Sequence, residues 1–254
     1  MDIKQTTPVE RIEGIYVKRD DKFVVHGVCG GKARSAYQLI LDGIEKGYTE
    51  FVTAGSRMSP QCELISCLCE NMGVKCHLFM PRGKDTSVIL NINKNKLSTI
   101  HRTKVGYNSV IVKWSKDFAE ENNFYYIPFG MECEENINIT MHQVKNIPNE
   151  IKRIVMPVGS GMSLVSILNG LEHYNRHDIS VLGVSVGKDV QKTLDKYLNA
   201  PNISFEIIKS GLSYEKEAVE FMIGDLELDK IYEAKCLPYL KDDDLLWVVG
   251  KRLA

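Results

Sequence analysis

Strand-like apolar runs alternate with helix-like amphipathic runs along much of this 254-residue chain, and short loops join them. Residues 50–53 form a strand-like run, residues 62–72 a helix-like run, and residues 75–80 the next strand-like run. Farther along, an apolar run at 151–157 leads through a glycine loop into a helix-like run at 164–174. One strand–loop–helix unit following another is typical of a parallel sheet covered by helices, so we predict an α/β fold.

Composition and charge exclude several classes of protein. The length suits one large α/β domain or two smaller lobes that share a cleft. The formal net charge of −1 provides no overall attraction to nucleic acid or to an anionic membrane, although a local patch remains open. No apolar run approaches the roughly 20 residues that span a bilayer, so we predict no membrane partner.

The cysteines and the amino-terminal residues indicate a reducing compartment. The chain has seven cysteines, an odd number, and residues 1–11 are polar where a secretion signal would be apolar. We therefore expect free thiols and a cytoplasmic location. The spacing of Cys67 and Cys69 does not match a zinc site, and we predict no metal.

Lys32 is the first candidate for chemistry. It follows two glycines, Gly30 and Gly31, at the expected start of a helix. The positive end of the helix dipole disfavours an ammonium group there and lowers its pKa, as a nucleophilic lysine requires. The alternative is an ordinary solvated lysine, which the local sequence alone favours because most lysines are exposed.

A second glycine turn offers an anion site. Its candidate residues are Gly159, Ser160, Gly161, Met162 and Ser163. A turn between a strand and a helix points several N–H groups at an anion, and the serine hydroxyls could add hydrogen bonds. The turn has neither the Gly-Lys-Ser/Thr ending of a P-loop nor a third dinucleotide-binding glycine. A tight turn without a ligand remains the alternative, because glycine is also the usual turn residue.

Two further segments carry candidate polar groups. Ser59 and Pro60 suit the N-cap and the first position of a helix, although Ser59 and Gln61 could instead bind a ligand. Glu233, next to Tyr232, could pair with a protonated ring nitrogen or be an ordinary surface glutamate.

Together these segments resemble fold-type II pyridoxal-phosphate enzymes, in particular the aminocyclopropane-carboxylate deaminase and D-cysteine desulfhydrase group. Residues 30–34 match its Gly-x-Lys-x-Arg motif, with Lys32 in the place of the Schiff-base lysine. Residues 53–55 with Ser59 resemble its strand and Ser-Asn loop, and residues 158–163 its phosphate loop. Residues 228–235 resemble the carboxyl-terminal motif whose Tyr-Glu pair contacts substrate and the pyridine nitrogen.

The resemblance implies pyridoxal 5'-phosphate as cofactor and a two-lobed fold with parallel sheets flanked by helices. Residues 1–254 would be one catalytic unit, with a trimmed small lobe at roughly 50–130 inserted in the large lobe, and the protein would be a homodimer. One departure is Pro60, which stands where the family has Asn. Gln61 or Asn108 are the candidates to replace that cofactor contact.

Three stretches, at residues 55–61, 106–111 and 128–132, look like a compact branch that occurs in bacteriophages and is associated with thymidine hypermodification. This implies a PLP-dependent lyase in the host cytoplasm that decarboxylates an amino acid attached to a modified thymine. Its catalytic residues would be Lys32, Tyr232 and Ser59. Two alternatives remain: a deaminase or desulfhydrase of a free small amino acid, and a non-catalytic protein that binds a phosphorylated ligand.

The expected small lobe contains the most basic stretch of the chain. Its cations are Arg57, Arg82, Lys84, Lys94, Lys96, Arg102 and Lys104. They could contact the phosphates of a DNA substrate, or they could be a solvated face, which is the commoner role of such residues.

Overall fold

The structure is a computed structural model that describes residues 2–58, 60–104, 108–187 and 189–250. Its helices are α1 (Gly31–Glu45), α2 (Pro60–Met72), α3 (Ser87–Ile92), α4 (Asn108–Asn122), α5 (Glu134–Thr140), α6 (Met162–His173) and α7 (Gln191–Tyr197). Its strands are β1 (Val9–Ile12), β2 (Ile15–Arg19), β3 (Val24–Val25), β4 (Val28–Cys29), β5 (Glu50–Ala54), β6 (Lys75–Pro81), β7 (Ser98–Thr103), β8 (Tyr125–Tyr126), β9 (Arg153–Val158), β10 (Ser180–Ser185), β11 (Phe205–Lys209), β12 (Met222–Ile223), β13 (Leu226–Glu227) and β14 (Leu245–Val248). Short 3-10 helices lie at Asp20–Lys22, Phe129–Met131, Met141–Asn146 and Glu233–Tyr239.

The chain divides into two compact units. The central unit is Val24–Cys133, and the terminal unit combines the residues up to Phe23 with those from Glu134 onward. The expected lobe at about 50–130 and the expected single catalytic unit stay predictions.

The terminal unit is built on a six-stranded sheet in the order β1-β2-β14-β9-β10-β11. β1 pairs with β2 in antiparallel fashion, and the other neighbours are parallel. Ile154, Met156 and Val158 of β9 pack in one core with α6, while Val155 points into a second core on the opposite face. This alternation follows from the two-residue period of a strand, and it fixes β9 as a central, doubly covered strand.

The central unit has an all-parallel sheet in the order β7-β6-β5-β8. Ile111 and Ala119 of α4 pack on Val52 and Ala54 of β5, and α2 also contacts the sheet, at β6 and β7. The predicted α/β class, with parallel sheets flanked by helices, is confirmed. Because all four strands run in the same direction, the loops that leave their carboxyl ends meet at one edge of this sheet.

Two sequence-based expectations about local structure are wrong. The sequence of residues 215–224 suggests a helix, but this stretch forms turns that lead into the short β12–β13 pair. Its backbone bonds to 228–230 instead, through Ala218 N–H to Lys230 O and Leu228 N–H to Phe221 O. This tertiary pairing overrides helix propensity, and it leaves Val219 89% exposed. Likewise, the sequence of residues 106–112 suggests a loop or the start of a strand, but α4 begins at Asn108.

Within the described ranges, no helix is both long enough and apolar enough to cross a bilayer.

Candidate functional site

Lys32 lies in the first turn of α1, directly after a glycine that the backbone requires. Gly30, the residue before the helix, has φ +107°, a conformation that residues other than glycine rarely adopt. The Lys32 side chain is only partly exposed, and burial lowers its pKa from 10.5 to about 8. An amine with such a pKa is partly unprotonated near neutrality, which is the form that attacks a carbonyl carbon. The structure therefore makes Lys32 a better nucleophile than an ordinary surface lysine.

Gln61, the second position of α2, is held inside the central unit and is only 2% exposed. Its Nε2 donates to Pro128 O at 2.8 Å and to Thr53 Oγ1 at 3.2 Å, and Thr53 Oγ1 donates to Ile127 O at 2.9 Å. This network ties the end of β5 to the loop after β8. Both printed contacts use the amide nitrogen of Gln61 as donor, and the predicted cofactor role stays a prediction.

The remaining candidates of the central unit are less well defined. Ser59, predicted to be catalytic, lies outside the described residues. Pro60 begins α2, as its fixed φ favours. Asn108 begins α4 and is partly exposed at the carboxyl edge of the sheet. Ser56 Oγ, shortly after β5, is buried and has no hydrogen-bond partner within the described chain.

The glycine turn of the terminal unit has the geometry of an anion site. Gly161 precedes α6 with φ +86°, and no side chain caps the helix in the structure as described. The first N–H groups of a helix lack intrahelical acceptors and carry the positive end of its dipole. The Thr193 hydroxyl donates to Ser160 O at 3.1 Å and braces the turn. Met162 is buried, whereas Ser160 and Ser163 are both partly exposed.

Tyr232 packs directly against this turn. A Cβ placed on Gly159 would lie 3.1 Å from Cε1 of Tyr232, closer than most real Cβ contacts. The Tyr232 hydroxyl lies 3.1 Å from that of Tyr214. Asp229 Oδ1 accepts the backbone N–H groups of Ile231 at 2.7 Å and Tyr232 at 3.0 Å, a side-chain turn that fixes the segment. The predicted phosphate turn and the predicted Tyr-Glu pair are therefore neighbours within one unit.

Glu233 is fully buried, and its carboxyl group is half satisfied. Oε1 accepts the backbone N–H of Val249 at 2.8 Å, whereas Oε2 is buried without a hydrogen-bond partner in the described structure. Burial, with a smaller contribution from Asp229, raises the pKa of Glu233 from 4.5 to about 8. A buried acceptor left unpaired is costly, so this oxygen is suited to a donor supplied by a ligand.

A cavity of about 640 Å³ lies beside the glycine turn, within the terminal unit. Gly187, Val190 and Tyr214 line it. The first two contact the turn, since a Cβ on Gly161 would meet Val190 Cβ at 3.0 Å and a Cβ on Gly187 would meet Gly159 O at 3.4 Å. Its volume is within the range of small-molecule sites.

Comparison with known proteins decides the family. A sequence profile of a family described as "Pyridoxal-phosphate dependent enzyme" matches residues 3–221. This chain belongs to that family. The fold-type II resemblance seen in the sequence is thereby confirmed, and the cofactor of this PLP-dependent enzyme is pyridoxal 5'-phosphate.

Individual relatives of this PLP-dependent enzyme are distant. An O-seryl-dTMP PLP-dependent decarboxylase of Salmonella phage ViI is 24% identical over 229 residues, covering 77% of this chain and 54% of that protein. This chain therefore spans about half the length of the phage relative. A 1-aminocyclopropane-1-carboxylate deaminase of Cyberlindnera saturnus is 23% identical over 250 residues, 87% of this chain and 69% of that protein. The crystal structure of an ACC deaminase homologue superimposes with a TM-score of 0.83 at 18% identity, covering 98% of this chain and 90% of that one.

The residues present fit the cofactor. Pyridoxal phosphate needs an amine for its aldehyde, donors for its phosphate and a partner for its ring nitrogen. The central unit supplies a lysine of lowered pKa, and the terminal unit supplies an uncapped helix start and the unpaired Oε2 of Glu233. All three features are present in the protein without a bound ligand.

Two positioning residues were missed at the level of sequence. Asp229 orients the Tyr232–Glu233 segment, and an Asp that precedes its two N–H donors by two and three residues is the local signal of a side-chain turn. Lys235 is 2% exposed, and its Nζ donates to Ser213 O at 2.9 Å and Tyr214 O at 3.3 Å. No local pattern marks Lys235, because its acceptors lie more than twenty residues earlier.

Proposed function

We propose that this protein is a PLP-dependent lyase that acts at Cα of an amino acid attached to a modified thymine, removing carbon dioxide during phage DNA hypermodification. The observation that carries this proposal is the similarity to the phage O-seryl-dTMP decarboxylase along 77% of the chain. The amino acid would be carried on the base, so the substrate is larger than a free amino acid.

The proposal assigns each group of the cofactor to residues of this chain. Lys32 Nζ would hold the aldehyde, the N–H groups of 159–163 would hold the phosphate, and Glu233 Oε2 would accept from the ring nitrogen. Bound in this way, pyridoxal phosphate withdraws electrons from Cα of an attached amino acid. A cationic ring N–H beside Glu233 would favour the carboxylate form, offsetting the burial that raises its pKa.

Lys32 is also the proposed proton carrier. Once carbon dioxide leaves, Cα needs a proton, and an amine whose pKa is about 8 both releases and accepts protons near neutral pH. Tyr232, whose hydroxyl is paired with that of Tyr214, is the proposed substrate contact. Ser59 keeps its proposed substrate role on the basis of the resemblance.

The loss of donors at Pro60, a position that the resemblance places at a cofactor contact, also supports the proposed decarboxylation. Where the resembling family has Asn, proline offers neither a side-chain amide nor a backbone N–H. The loop therefore loses donors that would otherwise hold a polar substrate or cofactor oxygen. A carboxylate that is to leave as neutral carbon dioxide is better placed in a site with few donors, since donors stabilise the charged ground state.

A second candidate is a deaminase or desulfhydrase of a free small amino acid. It is favoured by the similarity to a 1-aminocyclopropane-1-carboxylate deaminase along 87% of the chain. The two candidates differ in product, because one releases carbon dioxide and the other releases ammonia or hydrogen sulfide.

The test uses protein purified with pyridoxal phosphate. It is incubated separately with O-seryl-modified thymidine nucleotide, with DNA that carries this base, and with D-cysteine and aminocyclopropane carboxylate. Mass spectrometry of the nucleoside should show loss of carbon dioxide and retention of the amine, and Lys32→Ala should abolish this. Ammonia or sulfide from the free amino acids, without change to the nucleoside, would favour the second candidate. A homodimer stays a prediction, which light scattering on the same sample tests.

A further inference from the structure

The structure separates the seven cations of the basic stretch into two groups. Arg57 follows β5, Arg82 and Lys84 follow β6, Lys104 follows β7, and Arg102 lies near the carboxyl end of β7. All five therefore lie at the carboxyl edge of the parallel sheet of the central unit. We call Arg57, Arg82, Lys84 and Lys104 the cationic edge.

Lys94 and Lys96 belong elsewhere. They precede β7 and so lie toward the amino edge of the same sheet. The six residues of β7 separate the two edges by about 20 Å at the usual rise per residue. The basic stretch of the sequence is thus two separate surfaces.

The cationic edge is braced by local contacts. Arg57 Nη1 donates to Lys84 O at 2.9 Å, and the Thr86 hydroxyl donates to Arg57 O at 2.5 Å. Gly83 has φ +156°, and a Cβ there would lie 2.6 Å from Cζ of Arg57, so only glycine lets the guanidinium lie against this loop. The loops after β5 and β6 are therefore joined by hydrogen bonds at residues that carry these cations.

These charges are poorly neutralised. Asp85, in the same loop, pairs with Arg102 at 2.6 Å. Across the described ranges, no ion pair involves Arg57, Arg82, Lys84 or Lys104, and the last three residues are exposed. Adjacent strands lie about 4.8 Å apart, so cations that follow three neighbouring strands form a row roughly 10 Å long. Such a row of cations without acidic partners is complementary to a ligand that carries several negative charges in a row.

We infer that the cationic edge binds the phosphodiester backbone of the DNA strand that carries the substrate base. The inference rests on the proposed function, since a free amino acid would need no such row. Phosphate contacts position a nucleic acid without reading its sequence, which suits an enzyme whose specificity lies in a modified base. The same edge carries the start of α2, with Pro60 and Gln61, so DNA held there lies beside residues proposed for the active site.

The test is DNA binding by the cofactor-loaded protein, with charge removed from one edge at a time. Arg82→Ser with Lys84→Ser is compared with Lys94→Ser with Lys96→Ser, which removes the same charge from the opposite edge. Fluorescence anisotropy with an unmodified single-stranded oligonucleotide is measured across a salt series. The first pair should weaken binding roughly tenfold near 0.1 M salt and lower the salt slope by about 1.4, since each phosphate contact contributes about 0.7. The second pair of substitutions should leave the affinity within twofold of that of the parent protein and should leave the salt slope unchanged.

Competitors distinguish the DNA backbone from other anions. Thymidine monophosphate, inorganic phosphate and polyglutamate, at the same anion concentration, should not displace the oligonucleotide as unlabelled DNA does. Equal displacement by any of them, or equal effects of the two double variants, would overturn the inference. Unmodified DNA lacks the reacting group, so its binding is measured without any reaction. The cofactor absorbance of the same samples shows whether the protein is loaded. If the cationic edge does not bind DNA, the proposed reaction is still tested separately by mass spectrometry of its product.

Discussion

The Glu233 carboxyl group accepts the backbone N–H of Val249 at 2.8 Å through Oε1, while its Oε2 is buried with no partner in the described chain. One oxygen thus fixes the orientation of the side chain, and the other is left for a ligand. Burial raises the pKa of this group to about 8, so the Glu233 carboxyl group of the cofactor-free protein is mostly protonated below that pH.

This raised pKa predicts how the stability of the cofactor-free protein changes with pH. The folded state keeps a proton on Glu233 up to about pH 8, whereas the unfolded chain loses it near 4.5. Between these values the folded state binds more protons, so its free energy of unfolding falls as pH rises. We expect a decrease on the order of 4 kcal/mol that Glu233→Gln lacks. Urea titrations of both proteins from about pH 5 to 8 measure the difference, and parallel curves would contradict it.

The lowered pKa of Lys32 predicts the opposite change of stability with pH, in a separate pH range. Its folded pKa, about 8, lies below the ordinary 10.5, so between these values the unfolded chain binds more protons. The free energy of unfolding should therefore rise with pH in this range, on the order of 2 kcal/mol after allowance for partial exposure. Lys32→Met should remove the rise and leave the decrease below pH 8 intact. The same urea titrations, extended to about pH 10, test this, and a rise that persists in the variant would assign it to another group.

Covalent attachment of the cofactor should be confined to Lys32. Borohydride reduction of the cofactor-loaded protein, followed by peptide mass spectrometry, should place the label on the peptide that contains Lys32. Lys46, directly after α1, provides the matched control, because Lys46→Ala should keep the label and the visible absorbance while Lys32→Ala loses both. A labelled peptide that persists in Lys32→Ala would refute the assignment.

Much of this site could be predicted because its signals are local. Gly30 and Gly161 have positive φ, and in each case a helix begins directly after the glycine, close to the starts that the sequence predicted at Lys32 and at 164. The same reasoning underestimated Lys32, since its lowered pKa comes from burial, and burial depends on residues distant in sequence.

The rest depends on contacts between distant segments. Gln61 looked available for a ligand, yet it donates to Pro128, 67 residues later. The stretch 215–224 looked helical, yet its backbone pairs with 228–230. The basic stretch looked continuous, yet β7 divides it into two edges. In each case a local preference is overruled by a partner that local patterns do not identify.

The phosphate turn can be tested at Gly161. Alanine there must adopt φ +86°, and its Cβ would lie 3.0 Å from Val190 Cβ. Gly47 has nearly the same φ, +87°, with no atom within 4 Å of a Cβ, so Gly47→Ala measures backbone strain alone. We expect losses of about 1 kcal/mol for Gly47→Ala and about 2–3 kcal/mol for Gly161→Ala. Only Gly161→Ala should also weaken cofactor binding in an absorbance titration, and equal affinities in the two variants would argue against phosphate binding at this turn.

Lys235 should act on the site through Tyr214. Its Nζ bonds to the carbonyl groups of Ser213 and Tyr214, and the Tyr214 hydroxyl lies 3.1 Å from that of Tyr232. Lys235→Met leaves both carbonyl groups without this donor, which should destabilise the protein by about 1–3 kcal/mol and free the loop that carries Tyr214. The activity of the variant should fall because KM rises as Tyr232 loses its partner, while cofactor absorbance is retained. Tyr214→Phe should reproduce the rise in KM without the loss of stability, since it removes only the hydroxyl; an unchanged KM in Tyr214→Phe would show that this pair does not position the substrate.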